Sequence, residues 1–172
     1  MGNWYVIQVR SGLEEKIMNS CDFLVSKEIL LECFVPRYKK VKKIRGSWNE
    51  VEETLFPGYI FLVSNEPNQL FQELKKVPEV TILLGKYGQD IFPLNEDEIV
   101  FLKSFGKEDH VVDMSFGYIE GDKIMVTSGP IKGKEGLIKK IDRHKRLAYI
   151  ELEFLGQITN AKVGLEIIRK NV

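Results

Sequence analysis

Hydrophobic and polar positions follow two different periods along this chain, and the changes of period mark its elements. Trp4 to Val9 is β-branched and aromatic, which predicts a strand. Ile17, Cys21, Leu24 and Val25 then form one apolar stripe of a helix that runs to about Lys27. Ser11, with Glu14 three residues on, fits a capping box at its start. Cys33 to Ile44 and Val51 to Ser64 predict two more strands, with Gly46-Ser47-Trp48-Asn49 turning between them. Pro67 opens a short helix over 68–77, and Pro78 follows its end. Thr81 to Leu84 and Asp90 to Phe92 read as short strands, and Asn95 with Glu98 caps a third helix that ends near Gly106. Residues 107–117 lose periodicity and read as a flexible linker, which would span ~18 Å on average. Beyond Gly121 no helical period remains. Ala148, Ile150, Leu152 and Phe154 alternate with Tyr149, Glu151 and Glu153, the pattern of a half-buried strand.

These elements predict an α+β chain in two parts. Residues 1–106 should form an antiparallel-rich sheet covered by helices on one face. Residues 118–172 should form a small all-β barrel, since short strands are separated there by glycines. A barrel of roughly 55 residues is small for a core of its own, so its stability should be modest.

Composition and motifs sharpen this picture. Hydrophobic residues make up 44% and charged residues 29%, which suits a soluble folded protein. No apolar run reaches transmembrane length and the N-terminus lacks the pattern of a secretory signal, so a cytosolic location without membrane contact is expected. The net charge of zero hides an asymmetry: residues 1–117 carry 14 Lys+Arg against 18 Asp+Glu, and residues 118–172 carry 11 against 7. The C-terminal part is therefore the better candidate for touching phosphates. Cys21 and Cys33 lack metal-ligand spacing, and both fit small buried thiols. No Gly-x-Ser-x-Gly, phosphate loop or metal motif occurs, so no catalytic residue, metal or cofactor is expected.

Three groups of residues could carry function. In a strand, Tyr59 and Phe61 point one way and Ile60 and Leu62 the other. The aliphatic pair suits the face beneath the helices. The aromatic pair either forms an exposed interaction patch or packs beneath other parts of the chain. The run Lys39, Lys40, Lys42, Lys43 and Arg45 is a hairpin balanced by its own glutamates or a contact for nucleic acid. With a four-residue loop, Arg45 would face Glu50, Lys43 would face Glu52 and Lys42 would face Glu53, favourable cross-strand pairs. In the C-terminal part, Lys132, Lys134, Lys139, Lys140, Arg143, His144, Lys145 and Arg146 lie on loops that one end of a barrel could bring together. Such a cluster would neutralise phosphates and bind with strong salt dependence.

Trp4-Tyr5-Val6-Ile7-Gln8-Val9 with Ser11-Gly12, then Phe56-Pro57-Gly58-Tyr59-Ile60-Phe61, then Gly121-Asp122…Gly129-Pro130…Gly133…Gly136 resemble the NusG/Spt5 family of transcription elongation factors. The resemblance covers essentially the whole chain. It implies an NGN domain over 1–106 and a KOW domain over 118–172. It further implies that Trp4, Val6, Gln8, Tyr59 and Phe61 bind the clamp helices of the largest RNA polymerase subunit and suppress pausing. Arg10 and Lys16 match positions that touch upstream DNA. The loop after Gly129-Pro130 carries Ile131 and Lys134 where housekeeping members have aromatics, so the chain is more similar to specialised paralogs of the LoaP/RfaH type. That likeness implies a monomeric antiterminator of selected operons whose KOW domain contacts an RNA leader hairpin through the basic residues above. A general housekeeping factor and a ribosome-associated KOW protein are the alternatives. The many β-branched residues of the KOW segment favour strands over a helical alternative.

Overall fold

The computed structural model describes residues 2–80, 91–154 and 156–169. In chain order its elements are β1 (Asn3–Gln8), α1 (Glu14–Leu24), β2 (Glu32–Phe34), β3 (Arg37–Ile44), β4 (Ser47–Thr54), β5 (Tyr59–Ser64), α2 (Pro67–Leu74), β6 (Ile91–Pro93), α3 (Glu96–Gly106), β7 (Val111–Val112), β8 (Ser115–Glu120), β9 (Lys123–Ser128), β10 (Ile138–Asp142), β11 (Leu147–Phe154) and β12 (Gln157–Ile167). They fall into two compact units. One contains Met1–Val35 and Phe56–Ile99, the other Pro36–Leu55 and Val100–Val172. The sequence places the division at a linker near residue 107; by contacts, the β3–β4 hairpin and the end of α3 group with the C-terminal strands.

In the first unit, four antiparallel strands lie in the order β2-β5-β1-β6. Alternation along β1 and β5 sends Tyr5, Ile7, Ile60 and Leu62 to one face, where they pack with Ile17 and Cys21 of α1 and Leu70 and Leu74 of α2. The helices thus cover the aliphatic face, as the spacing predicts. Cys21 is fully buried and Cys33 half-buried, and both are free thiols. The hydrogen bond between them, with burial, pushes the Cys33 thiol far above its ordinary value, which keeps it protonated and inert.

Two strands that the sequence reads as continuous are broken by proline. Pro36 separates β2 from β3, because it has no N–H to give a ladder and restricts Val35 before it. Pro57 and Gly58 (φ 90°) separate β4 from β5. The chain leaves the first unit at one break and returns at the other.

The expected capping box at Ser11 is not formed. α1 begins at Glu14, with Leu13 at the N-cap and no side-chain cap. The Glu14 carboxylate is instead buried, accepting the Gly12 N–H at 2.6 Å and the Gly58 N–H at 2.9 Å. One side chain therefore fixes both the turn into α1 and the turn into β5. By contrast, the box at α3 forms as predicted: Asn95 Oδ1 accepts the Glu98 N–H and Glu98 Oε1 accepts the Asn95 N–H. The strand predicted over Thr81–Leu84 lies outside the described residues.

In the second unit, the C-terminal strands form a curled sheet in the order β10-β11-β12-β8-β9, antiparallel except for β12 beside β8. Ala148, Ile150, Leu152 and Phe154 are buried, as their alternation predicts, together with Ile131, Val163 and Leu165. The segment 107–117 is not a free linker: β7 pairs parallel with β3, and β8 begins at Ser115. β12 and β3 approach closely, since a Cβ at Gly164 would run into the Lys39 carbonyl oxygen.

Glu14→Gln keeps the side chain's size but turns one accepting oxygen into a donor. It should lower stability by about 1–3 kcal/mol, the cost of leaving a buried backbone N–H unsatisfied. A fall in the urea midpoint at unchanged slope would show this; an unshifted midpoint would mean that the two turns hold without the carboxylate.

Candidate nucleic-acid interface

The resemblance assigns the polymerase contact to the aromatic face of the first sheet. The register pairs Val6 with Phe61 and Gln8 with Tyr59, and Phe34 of β2 with Phe61. These residues share a face with Trp4. That face is not an open patch. Trp4, Val6, Phe34, Phe56 and Phe61 are buried, with Phe61 fully inaccessible. Trp4 meets Phe34 edge-on at 5.1 Å, Phe34 stacks on Phe61 at 5.3 Å, and Phe56 lies 6.0 Å from Phe61. Of the five residues expected here, Gln8 is exposed and Tyr59 half-buried. Arg10 and Lys16 are exposed, and Lys16 pairs with Glu79 at 3.5 Å.

The β3–β4 hairpin departs most from its expected register. Ile44 faces Ser47, so the turn is the pair Arg45-Gly46, both with positive φ (50° and 82°). A two-residue turn of this hand matches the twist of the strands, and Gly46 takes the second position without strain. The shorter turn shifts every pairing: Lys42 faces Asn49 and Lys43 faces Trp48. The glutamates expected opposite the tip lie further down and neutralise the base of the hairpin. Lys40 reaches Glu53 at 3.0 Å, Lys39 reaches Glu50 at 3.7 Å and Asp113 at 3.3 Å, and the Tyr38 hydroxyl donates to Glu53 at 2.9 Å. Lys42, Lys43 and Arg45 are exposed and form no ion pair among the described residues.

The basic residues of the C-terminal strands divide into two groups. Lys132 and Lys134 lie in the turns between β9 and β10, where Ile131 is fully buried. Arg143, His144, Lys145 and Arg146 form the turn between β10 and β11. β10 has five residues, so the two groups sit at its opposite ends, roughly 15 Å apart, and not at one end as the spacing suggested. Between them, Lys139 pairs with Glu151 at 3.8 Å, and the Lys140 ammonium lies 5.5 Å from the Tyr149 ring centre. Arg146 is the most constrained of the set. Its backbone is left-handed (φ 56°), its guanidinium lies 4.0 Å from the centre of the Trp48 ring, and it pairs with Glu166 at 3.6 Å. The Arg146–Trp48 stack joins the hairpin tip to the β10–β11 turn. Sequence alone gave no signal for it, because Trp48 reads as a turn residue and lies nearly a hundred positions away.

Three carboxylates sit below their ordinary range. Asp113 is held there mainly by the hydrogen bond from Lys107, with burial opposing and Lys39 assisting. At Glu53, burial pushes upward, but the hydrogen bonds from Lys40 and Tyr38 outweigh it. The Glu135 carboxylate is held down mainly by its own backbone N–H, with burial opposing and the Gly133 and Val126 N–H groups assisting, and these bonds pin the β9–β10 turns. Burial and Glu53 push the Tyr38 hydroxyl well above its usual value, so it stays a donor. Among the described residues, no cluster of His, Cys, Asp and Glu could hold a metal ion, and no helix is long and apolar enough to cross a membrane.

Comparison with known proteins places this architecture. The family model described as "Transcription termination factor nusG" matches residues 2–103, and that described as "KOW motif" matches residues 120–151. The chain belongs to the NusG family. Similar proteins bear the name "Transcription termination/antitermination protein NusG". That of Borreliella burgdorferi is 27% identical, with 97% of each chain covered. That of Rickettsia felis is 26% identical over 98% of this chain and 90% of the relative. That of Streptococcus pyogenes serotype M3 is 28% identical over 94% and 92%. A solved structure of Thermotoga maritima NusG, titled "Domain interaction in Thermotoga maritima NusG", shares the fold with a TM-score of 0.53 at 20% identity, over 95% of this chain and 94% of that one.

The depressed carboxylates set an acid limb. A carboxyl whose folded pKa lies below its unfolded value contributes stability above the ordinary carboxylate range, and that contribution is lost as pH falls through the folded value. Stability should therefore decline from about pH 5 downward. Asp113→Asn should lose less of its urea midpoint between pH 7 and pH 3 than the parent chain; an equal loss would remove Asp113 from the acid limb.

Proposed function

We propose that this chain is a transcription elongation and antitermination factor. Its N-terminal NGN part (1–106) holds RNA polymerase at the clamp helices, and its C-terminal KOW part (118–172) contacts RNA, making transcription of selected operons more processive. The observation that carries the reading is the match to the NusG family model through residues 2–103, followed in the same chain by a KOW motif through 120–151. The RNA contact is supported by Arg143 and Lys145 of the β10–β11 turn, which are exposed and form no ion pair among the described residues. Upstream DNA would run past Arg10 and Lys16. The work is done by binding: the protein bridges a cleft and supplies phosphate contacts. A general factor serving most genes is the second reading, favoured by the relatives' shared name.

The polymerase contact is tested at the residues of the aromatic face that reach the surface. Phe61→Ala is unsuitable, because emptying that buried position would cost about 3–5 kcal/mol and confound binding with folding. Gln8→Ala with Tyr59→Ala should weaken binding to purified core RNA polymerase about tenfold or more while leaving the thermal midpoint within a few degrees. Unchanged affinity would remove this face from the polymerase contact. Readthrough of terminators only on templates with a particular leader would support the selected-operon reading; equal effects on all templates would support the general one.

A further inference from the structure

The hairpin tip and the β10–β11 turn meet at a feature that neither segment explains by itself. Trp48 remains 41% exposed although Arg146 lies against its ring. Glu166 also pairs with Arg146, at 3.6 Å. Lys43 stands directly across from Trp48, on the same face of the hairpin, and Arg45 follows in the turn. Arg143, His144 and Lys145 precede Arg146 and are exposed. The carboxylates nearby are already engaged: Glu166 with Arg146, Glu50 with Lys39, and Asp142 with the Lys145 backbone N–H. The guanidinium–indole contact thus lies on two segments whose Lys43, Arg45, Arg143 and Lys145 form no ion pair among the described residues. If the stack served only to dock the hairpin, the neighbouring cations would repel one another to no purpose, and the indole would gain more by full burial.

We propose that these two segments form one composite RNA-binding surface. Lys43 and Arg45 of the hairpin and Arg143 and Lys145 of the turn hold phosphates, and the Arg146–Trp48 stack receives an unpaired base. The occupant is a loop or single-stranded stretch of RNA. A base inside a duplex is already stacked on its neighbours, whereas a splayed base can extend an aromatic–guanidinium stack. This inference rests on the RNA contact of the preceding section and deepens it: recognition is shared between the inserted hairpin and the KOW strands, so a loop is read and not only a charged stem.

The test uses the full-length chain and a fluorescently labelled RNA stem-loop, with a blunt RNA duplex of the same stem and a DNA stem-loop of the same sequence as comparison probes. Affinity is measured by anisotropy at two salt concentrations. The parent chain should prefer the RNA stem-loop. Lys43→Glu with Arg45→Glu should weaken that binding at least tenfold and flatten its salt dependence. A matched double reversal in the first unit, Lys27→Glu with Lys75→Glu, should not. Trp48→Ala should erase the preference for stem-loop over duplex, and Trp48→Phe should restore most of it. Trp4 is buried, so RNA should quench the exposed Trp48 emission in the parent and leave the Trp48→Phe protein unquenched. Hairpin variants that bind like the parent, while Arg143→Glu with Lys145→Glu abolishes binding, would confine the site to the turn and overturn the composite surface, leaving the proposed function intact. Preference for duplex or for DNA would also overturn it. No RNA binding by the parent chain would overturn both.

Discussion

Two proline-bearing breaks, at Pro36 and at Pro57-Gly58, determine where the β3–β4 hairpin goes. Without them, β2 and β3 would run on as one strand, as would β4 and β5, and the hairpin would extend the first sheet. The missing N–H of Pro36 and the left-handed backbone of Gly58 end that sheet on both sides of the hairpin. The Glu14 carboxylate fastens the second break by accepting the Gly58 N–H. Released from the first sheet, the hairpin takes new partners. β7 adds to its edge, Lys39 and Lys107 share Asp113, and Gly164 lets β12 come up against the Lys39 carbonyl. The two-residue turn then sets which charges are cancelled and which remain.

That register separates the electrostatics of the hairpin into two zones. At its base, Lys39 and Lys40 are neutralised by Glu50, Glu53 and Asp113, and the depressed carboxyls reflect this pairing. At its tip, Lys42, Lys43 and Arg45 pair with no carboxylate among the described residues. Partly exposed ion pairs of this kind add only modest stability, felt mainly as acid titrates their carboxylates, and they also set where uncompensated charge stands. The tip's charge stands beside the β10–β11 turn because Trp48 and Arg146 meet there. A chain of zero formal net charge thereby presents a local excess of cations.

Much of the fold was legible in the residues. The alternation of Ala148, Ile150, Leu152 and Phe154 gave the buried side of β11, and Asn95 with Glu98 gave the start of α3; of the stripe Ile17, Cys21, Leu24 and Val25, all but the exposed Leu24 are buried. What failed did so for local reasons. Four turn-forming residues at 46–49 hid a tighter turn, because a non-glycine residue, Arg45, occupies its first left-handed position. Glu14 fitted a capping box but was claimed by a turn 44 residues away. Residues 107–117 lacked periodicity because β7 has only two residues. Tyr59 and Phe61 were correctly assigned to the face opposite Ile60 and Leu62, but one strand's pattern could not say whether that face was covered. Of the candidate site, the residue types were legible and their grouping was not: Lys132 and Lys134 lie at the far end of β10 from the turn that holds Arg146, and Trp48 gave no sign of being Arg146's partner.

The hairpin, inserted in sequence between strands of the first sheet, folds as part of the C-terminal unit. Native-state hydrogen exchange resolves this by peptide. Amides of residues 37–54 should open together with those of residues 115–154, at the same denaturant dependence, and separately from residues 3–8 and 59–64. Hairpin amides that open with the strands on either side of them in sequence, or that exchange freely while the C-terminal strands stay protected, would contradict that grouping.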